Sequence, residues 1–370
     1  MTNLVLYRKY RPQSFAEVVG QEHVVQTLAN AVSQGMISHA YLFSGPRGSG
    51  KTTLARLLAK AVNCENKKEG TFEPCNKCSS CLETIQGNSL DLMEIDAASH
   101  RGIDEIRELR EGIKFSPTKS KYRVFIIDES HQLTKEAANA LLKTLEEPPS
   151  HAIFILATTE IHKMIPTIIS RCQRFDFRKL TLGEIVKRLE YVSGKEKANI
   201  DKSALELIAL NSGGAIRDAE SLLDQTLAFS GASNEAITSE SIKDLLGIAD
   251  ISLISQFVDF LADKNGKDAV MFLNEVIEKG RDPQEFSKSL INYLRQAILV
   301  KINPEPMNPI IVGLTKEEQE KLRSQAERFQ TKELHQVLNL FMDAENKMKY
   351  SSIPQLPLEL AIVDITHKEA

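Results

Sequence analysis

Tyr41-Leu-Phe-Ser-Gly45-Pro-Arg-Gly-Ser-Gly-Lys51-Thr52 runs from an apolar segment through a glycine-rich turn into a helix-forming segment. From Gly45 through Pro46, Arg47, Gly48, Ser49 and Gly50 to Lys51 and Thr52 it matches G-x-x-x-x-G-K-[ST] in full. Tyr41 to Ser44 reads as a buried strand, and Thr52 to Asn63 as a helix with Leu54, Leu57, Leu58, Ala61 and Val62 on one stripe. Glycines at these points let backbone N–H groups curl around a phosphate, and the helix N-terminus adds its positive dipole end. Lys51 then reaches the β and γ oxygens, while the Thr52 hydroxyl takes one position on Mg²⁺. A chance glycine-rich turn is the alternative, and the flanking strand and helix speak against it. The chemistry predicted is binding of a nucleoside triphosphate with Mg²⁺.

Working outward, Leu90 to Ile95, Val124 to Asp128, Ile153 to Thr158 and Gln173 to Phe177 read as further core strands. With helical stretches between them, such as Thr134 to Glu147 ahead of Pro148-Pro149, they predict a parallel α/β sheet. Val124-Phe-Ile-Ile-Asp128-Glu129 ends in two carboxylates. Asp128 is placed to hold Mg²⁺ through water, and Glu129 to polarise the water that attacks the γ-phosphate. An acidic pair can merely open a polar loop, but here a nucleotide site stands ready to use it. Thr159, after the strand ending at Thr158, suits a polar sensor of the γ-phosphate. Beyond Phe177 the pattern is helical. Thr181-Leu-Gly-Glu184 predicts a capping box, a second helix opens near Asp201 and ends at Gly213-Gly214, and a third runs from Ala215 to about Phe229. Leu334, Val337, Leu338 and Phe341 are spaced for a helix face, and three prolines in residues 303–309 predict a loop.

The chain has 370 residues, 42% apolar and 26% charged, which predicts a soluble chain of two or three domains. No apolar run reaches membrane-spanning length, and no signal peptide opens the chain, so the expectation is cytosolic. A net charge of −4 argues against coating nucleic acid by bulk charge, and the absence of Trp argues against stacking platforms. Four of five cysteines, Cys64, Cys75, Cys78 and Cys81, fall in one short stretch. Their spacing predicts a closed, structural Zn²⁺ site more readily than redox-active thiols. Cys172 stands apart as a small buried residue.

Two arginines complete the set. Arg171 lies in Ser170-Arg171-Cys172 and Arg217 in Gly214-Ala-Ile-Arg217. In this order, with Gly45 to Thr52, Asp128-Glu129 and Ala157-Thr-Thr159, these motifs resemble AAA+ proteins of the clamp-loader clade. Leu141-Leu-Lys-Thr-Leu-Glu-Glu-Pro-Pro149 and Tyr7-Arg-Lys-Tyr-Arg-Pro12 are similar to the bacterial gamma/tau subunits of DNA polymerase III. Ser130, ahead of His131, departs from many relatives without an expected consequence.

The resemblance implies an α/β P-loop AAA+ domain with a zinc-module insertion at about 64–81 (1–178). A three-helix lid domain (179–243) and an all-α collar domain for oligomerisation (244–370) follow. It implies ATP, Mg²⁺ and Zn²⁺ as bound species, and Arg171 as a finger for a neighbouring subunit's ATP. Arg217 would sense ATP from the lid, and Tyr10, Arg11, Pro12 and Val19 would lie near adenine. Arg101 and Lys143 would touch DNA. The implied partners are other clamp-loader subunits in a ring or arc, the sliding clamp, primer–template DNA and the replicative polymerase, at the bacterial nucleoid. Two other readings compete. A branch-migration helicase is disfavoured by the cysteine cluster and Ser170-Arg171-Cys172, and a non-catalytic scaffold by the presence of Lys51, Glu129 and Arg171.

Overall fold

Among the described residues five segments become strands: β1 Ala40–Ser44, β2 Leu92–Asp96, β3 Arg123–Asp128, β4 Ala152–Thr158 and β5 Gln173–Asp176. All pair in parallel, in the order β2-β3-β4-β1-β5. The structure is a computed structural model and describes residues 4–68, 70–99, 112–113, 115–230, 236–246, 251–303 and 316–367. Side chains alternate between two cores, as a period of two requires. Tyr41, Phe43, Ile126 and Ile155 face one, packed on helices α2 (Glu22–Gln34) and α3 (Lys51–Val62). Leu42, Phe125, Ile127 and Phe154 face the other, packed on Leu141 and Leu145 of the helix Lys135–Glu146.

Two strands differ from expectation. Among the described residues β5 pairs only with β1 and β2 only with β3, so both are edges rather than core strands. Gln173, Arg174 and Asp176 are exposed, and Phe175 alone of β5 is buried. β2 starts two residues late because the Asp91 carboxylate turns aside to accept the N–H groups of Thr118, Lys119 and Ser120. Cys172 lies one residue ahead of β5, and burial pushes its thiol up to about 12.

The chain switches direction at β1, which has β4 on one side and β5 on the other. Ligands of open α/β sheets sit at such a point, beyond the carboxyl ends of the strands. Ser44, Asp128 and Thr158 all end strands at that edge, bringing the glycine-rich turn, Asp128-Glu129 and Thr159 together.

The chain divides into two units, residues 1–198 with 211–228, and residues 199–210 with 229–370. The first adds to the sheet the helices Leu182–Glu196 and Ile216–Ser230. The capping box forms: the Glu184 N–H donates to Thr181 Oγ1 at 3.3 Å, and the Thr181 N–H to Glu184 Oε2 at 2.8 Å. The second unit is helical from Ile251 onward, around Phe257, Phe286 and Phe341, with Leu334 and Val337 also buried. Each such side chain, fully buried, contributes about 1.5–3 kcal/mol. The proline-bearing segment 304–309 falls outside the described residues.

Candidate active site

Gly50 caps α3 with φ 97°, a left-handed conformation that a side chain disfavours. Gly48, at φ 75°, is excluded from bearing a Cβ for a second reason, since that atom would come 2.8 Å from the Ala215 Cβ. The turn is therefore drawn against the loop leading to Arg217. Lys51 is buried, and its ammonium donates to the carbonyls of Gly45 (2.7 Å) and Pro46 (2.8 Å). Burial lowers its pKa, and the carboxylates of Glu129 and Asp128 counter that shift. A cation seated on neutral carbonyls with two carboxylates near is arranged to meet an anion of higher charge.

Across from it, Thr52 Oγ1 donates to Asp128 Oδ2 at 2.7 Å. The two oxygens expected to share Mg²⁺ thus already touch, across 76 residues of sequence. The Glu129 N–H donates to Asp128 Oδ1 at 2.9 Å, and Thr159 Oγ1 donates to Glu129 Oε2 at 3.0 Å. Glu129 has φ 46°, strained for a residue with a side chain. Such strain is concentrated at functional sites.

Lys51, Thr52, Asp128 and Glu129 form one end of a cleft, and Thr159 stands behind Glu129, outside the cleft lining. Of the residues expected near a nucleotide, Arg11, Pro12, Val19, the run from Arg47 to Thr52, Asp128, Glu129 and Arg217 line it. Tyr10 does not: its carbonyl accepts from Arg188 instead. Tyr7, which sequence reasoning passed over, lines the cleft, with the Arg217 guanidinium 4.7 Å from its ring centroid. A hydrogen bond with Arg217 lowers the pKa of the Tyr7 hydroxyl.

Arg188 and Glu220 were also missed. Both line the cleft, both are buried, and Arg188 Nε donates to Glu220 Oε1 at 2.8 Å. Burial raises the Glu220 pKa, and Arg188 opposes that rise. A signal was present, because Arg188 continues the stripe of Ile185, Leu189 and Val192, and Glu220 that of Ala219 and Leu223. A charge on a buried stripe needs a partner. Removing one member of a buried pair costs about 3–5 kcal/mol. Glu220→Ala is therefore expected to lower the denaturant midpoint without changing the slope, and to weaken nucleotide affinity by releasing Arg188. An unchanged midpoint would contradict this account.

Arg171 points elsewhere. It is not part of the cleft lining, and it donates to Glu146 Oε1 (2.6 Å) and to the Thr167 carbonyl (2.8 Å). Exposed ion pairs of this kind contribute about 0–1 kcal/mol, so a stronger anion can displace Glu146. Lys143 is exposed on the same helix as Glu146, and Arg101 falls outside the described residues.

The cysteine thiols converge. The sulfurs of Cys64, Cys75, Cys78 and Cys81 lie within 4.8 Å of one another, with Cys75 and Cys81 4.0 Å apart. A tetrahedron of sulfurs at ~2.3 Å from a metal has edges of roughly 3.8 Å. Asn76 takes φ 57°, which turns the N–H groups of Lys77 (3.4 Å) and Cys78 (3.3 Å) onto Cys75 Sγ. Burial raises the Cys75 pKa, but those N–H groups together with the Cys64 and Cys78 thiols outweigh it and hold the thiol at about 6. The donor set and its hydrogen bonds fit thiolate ligation of a metal.

Three family models match along the chain. One describing DNA polymerase III, delta subunit, matches residues 20–181. One describing the DNA polymerase III clamp loader subunit, ATPase lid domain, matches 184–232. A third, for DNA polymerase III subunits gamma and tau domain III, matches 237–370. The DNA polymerase III subunit tau of Bacillus subtilis is 44% identical over 365 residues, 99% of this chain and 63% of that protein. The DNA polymerase III subunit gamma of Buchnera aphidicola is 34% identical over 99% of each chain. The RuvB branch migration motor of Thermotoga maritima overlays with a TM-score of 0.49 at 19% identity, covering 78% of this chain and 91% of that one. That overlay carries no functional weight.

Proposed function

This chain belongs to the DNA polymerase III gamma/tau family, and from that premise we propose that it is the ATP-driven motor subunit of a clamp loader, hydrolysing ATP to place a sliding clamp on primed DNA. The observation carrying this reading is the unbroken chain of contacts Thr52–Asp128–Glu129–Thr159 at the foot of the cleft. Lys51 leaves its carbonyls to neutralise the β and γ oxygens, and backbone N–H groups from Gly48 to Thr52 hold the phosphates. Mg²⁺, when bound, would supply charge neutralisation for the phosphates. Thr52 and Asp128 are the residues that would hold it. Glu129 orients and polarises the attacking water, while Thr159 keeps Glu129 in register. Arg11, Pro12, Val19 and Tyr7 surround the base, and Arg217 reports the nucleotide to the helices behind it.

Arg171 serves a neighbouring subunit's ATP, which its orientation away from its own cleft supports. The work is divided among an AAA+ domain (1–178), a lid (179–243) and a helical collar (244–370) that binds other subunits. The duplex runs past Lys143 and Arg101, whose cations suit sequence-independent contacts with phosphate. The polymerase is a further partner, and the site of action is the cytoplasm at the nucleoid. No described helix is long and apolar enough to cross a membrane. The direct test is ATP turnover with and without sliding clamp and primed DNA. Turnover should rise when both are added to the assembled complex. A strict monomer that hydrolyses ATP at full rate, indifferent to both, would sink the proposal.

Zn²⁺ held by Cys64, Cys75, Cys78 and Cys81, whose sulfurs lie within 4.8 Å of one another, would have a structural role, since four thiolate ligands would leave no open position for chemistry. Binding of structural zinc contributes on the order of 10–16 kcal/mol in small modules. Elemental analysis of the wild-type protein is expected to give one zinc per chain, and Cys81→Ser is expected to remove it. It should also expose residues 64–86 to protease while leaving the sheet folded. Purified protein devoid of zinc would rule the site out.

A further inference from the structure

Next to the hydrolytic carboxylate lies a buried histidine that the reading above does not use. His131 sits in a short 3₁₀ turn, Ser130–Gln132, directly after Glu129. The turn is anchored because Ser130 Oγ, itself buried, donates to the Ala157 carbonyl of β4 at 3.0 Å. The His131 ring is 4% exposed. Its Nδ1 lies 3.0 Å from Thr158 Oγ1 and 3.6 Å from Glu129 Oε2, and its Nε2 lies 3.1 Å from Glu160 Oε2.

Hydrogen-bond accounting orients the ring. The Glu160 carboxylate, 3.1 Å from Nε2, can only accept, so Nε2 carries the proton of the neutral ring and donates to Glu160. Nδ1 is then left as the acceptor for the Thr158 hydroxyl at 3.0 Å, which also accepts the Glu160 N–H at 3.0 Å. Glu160 is in turn bonded to Lys163 at 2.8 Å. That bond, aided by the Lys163 charge, holds the Glu160 carboxyl below its ordinary range, so it stays an acceptor.

We infer that His131 is a positioning residue for hydrolysis: pinned between Thr158 and Glu160, its imidazole forms a fixed wall that aims Glu129 at the attacking water. An imidazole engaged at both nitrogens has no N–H left to donate to Glu129. The carboxylate therefore abuts the ring at 3.6 Å without being captured, and its hydroxyl partner among the described residues is Thr159. Freed from Glu160, the ring can move its proton to Nδ1 and bond Glu129, withdrawing it from the water. Glu160 thus acts through His131, and the residues linking Glu129 to β4 and to the loop after it form one relay.

This inference rests on Glu129 being the water-orienting group, and the test separates the two claims. Full-length protein assembled with its partner subunits is compared as wild type, Glu129→Gln, His131→Ala, His131→Asn and Glu160→Ala. The readouts are nucleotide affinity, single-turnover hydrolysis and the melting midpoint. His131→Ala and Glu160→Ala are expected to slow single-turnover hydrolysis about tenfold or more while affinity stays within about twofold. A double variant carrying both His131→Ala and Glu160→Ala should be no slower than His131→Ala alone, because both changes act on one ring. His131→Asn, whose amide oxygen can take the Thr158 proton in place of Nδ1, should recover part of the loss.

Normal hydrolysis in both His131→Ala and Glu160→Ala, beside an inactive Glu129→Gln, would overturn the role of His131 alone. Affinity and melting midpoint falling in step with rate would mark His131 as merely structural and also overturn it. Glu160→Ala, at a partly exposed site, keeps the test open if His131→Ala fails to fold. Normal hydrolysis by Glu129→Gln would instead remove the reading of Glu129 on which the relay depends.

Discussion

Arg171→Ala is expected to bind ATP with wild-type affinity and to lose clamp- and DNA-stimulated hydrolysis by about 10³-fold or more. Affinity is spared because Arg171 does not line its own cleft. Rate is lost because a guanidinium supplied in trans neutralises charge that grows only in the transition state, an effect of about 10³–10⁵. Lys at this position should rescue poorly, since an ammonium lacks the planar fork that matches phosphoryl oxygens. Mixing is the decisive measurement. A subunit with Arg171→Ala keeps its own cradle and Glu129, and a Glu129→Gln subunit keeps Arg171. Placed side by side in one assembly, two inactive variants should restore turnover at the shared site. A mixture as inactive as its components would show that Arg171 does not act on the neighbour.

Glu129→Gln should retain ATP and stop before hydrolysis, with turnover down by about 10²–10⁴. Gln has nearly the shape of Glu and can still accept the Thr159 hydroxyl proton seen at 3.0 Å. The φ of 46° is as tolerable to Gln as to Glu, so the strand end should keep its geometry. What disappears is the negative charge that polarises water. The variant is therefore expected to be isolated with intact ATP bound and to hold its assembly in the ATP-bound form. Rapid quench of a single turnover would measure the loss, and hydrolysis within about tenfold of wild type would assign the role to another group.

Much of this was legible before the structure. Gly45 to Thr52 and Asp128-Glu129 are local patterns whose spacing is set by their chemistry, so position along the chain implied position in space. Thr181 and Glu184 cap a helix for the same reason. The edge character of β2 and β5 was not legible, because an apolar run reports burial of a segment but not how many neighbours it will have. Tyr10 and Tyr7 show a subtler limit. They are three residues apart in one short segment, and only the packing of Leu6–Lys9 presents Tyr7 to Arg217 while Tyr10 offers its carbonyl to Arg188.

From sequence alone came the nucleotide chemistry, the cysteine cluster and the alternation of strands with helices, all written in short-range spacing. Tertiary structure decided which distant side chains meet: Arg188 with Glu220 across 32 residues, His131 with Thr158 across 27, Arg171 with Glu146 rather than with its own cleft. Periodicity names the face that is buried. The partner on that face is chosen by packing, since a buried charge or imidazole is stable only where the fold brings it a hydrogen-bonding complement.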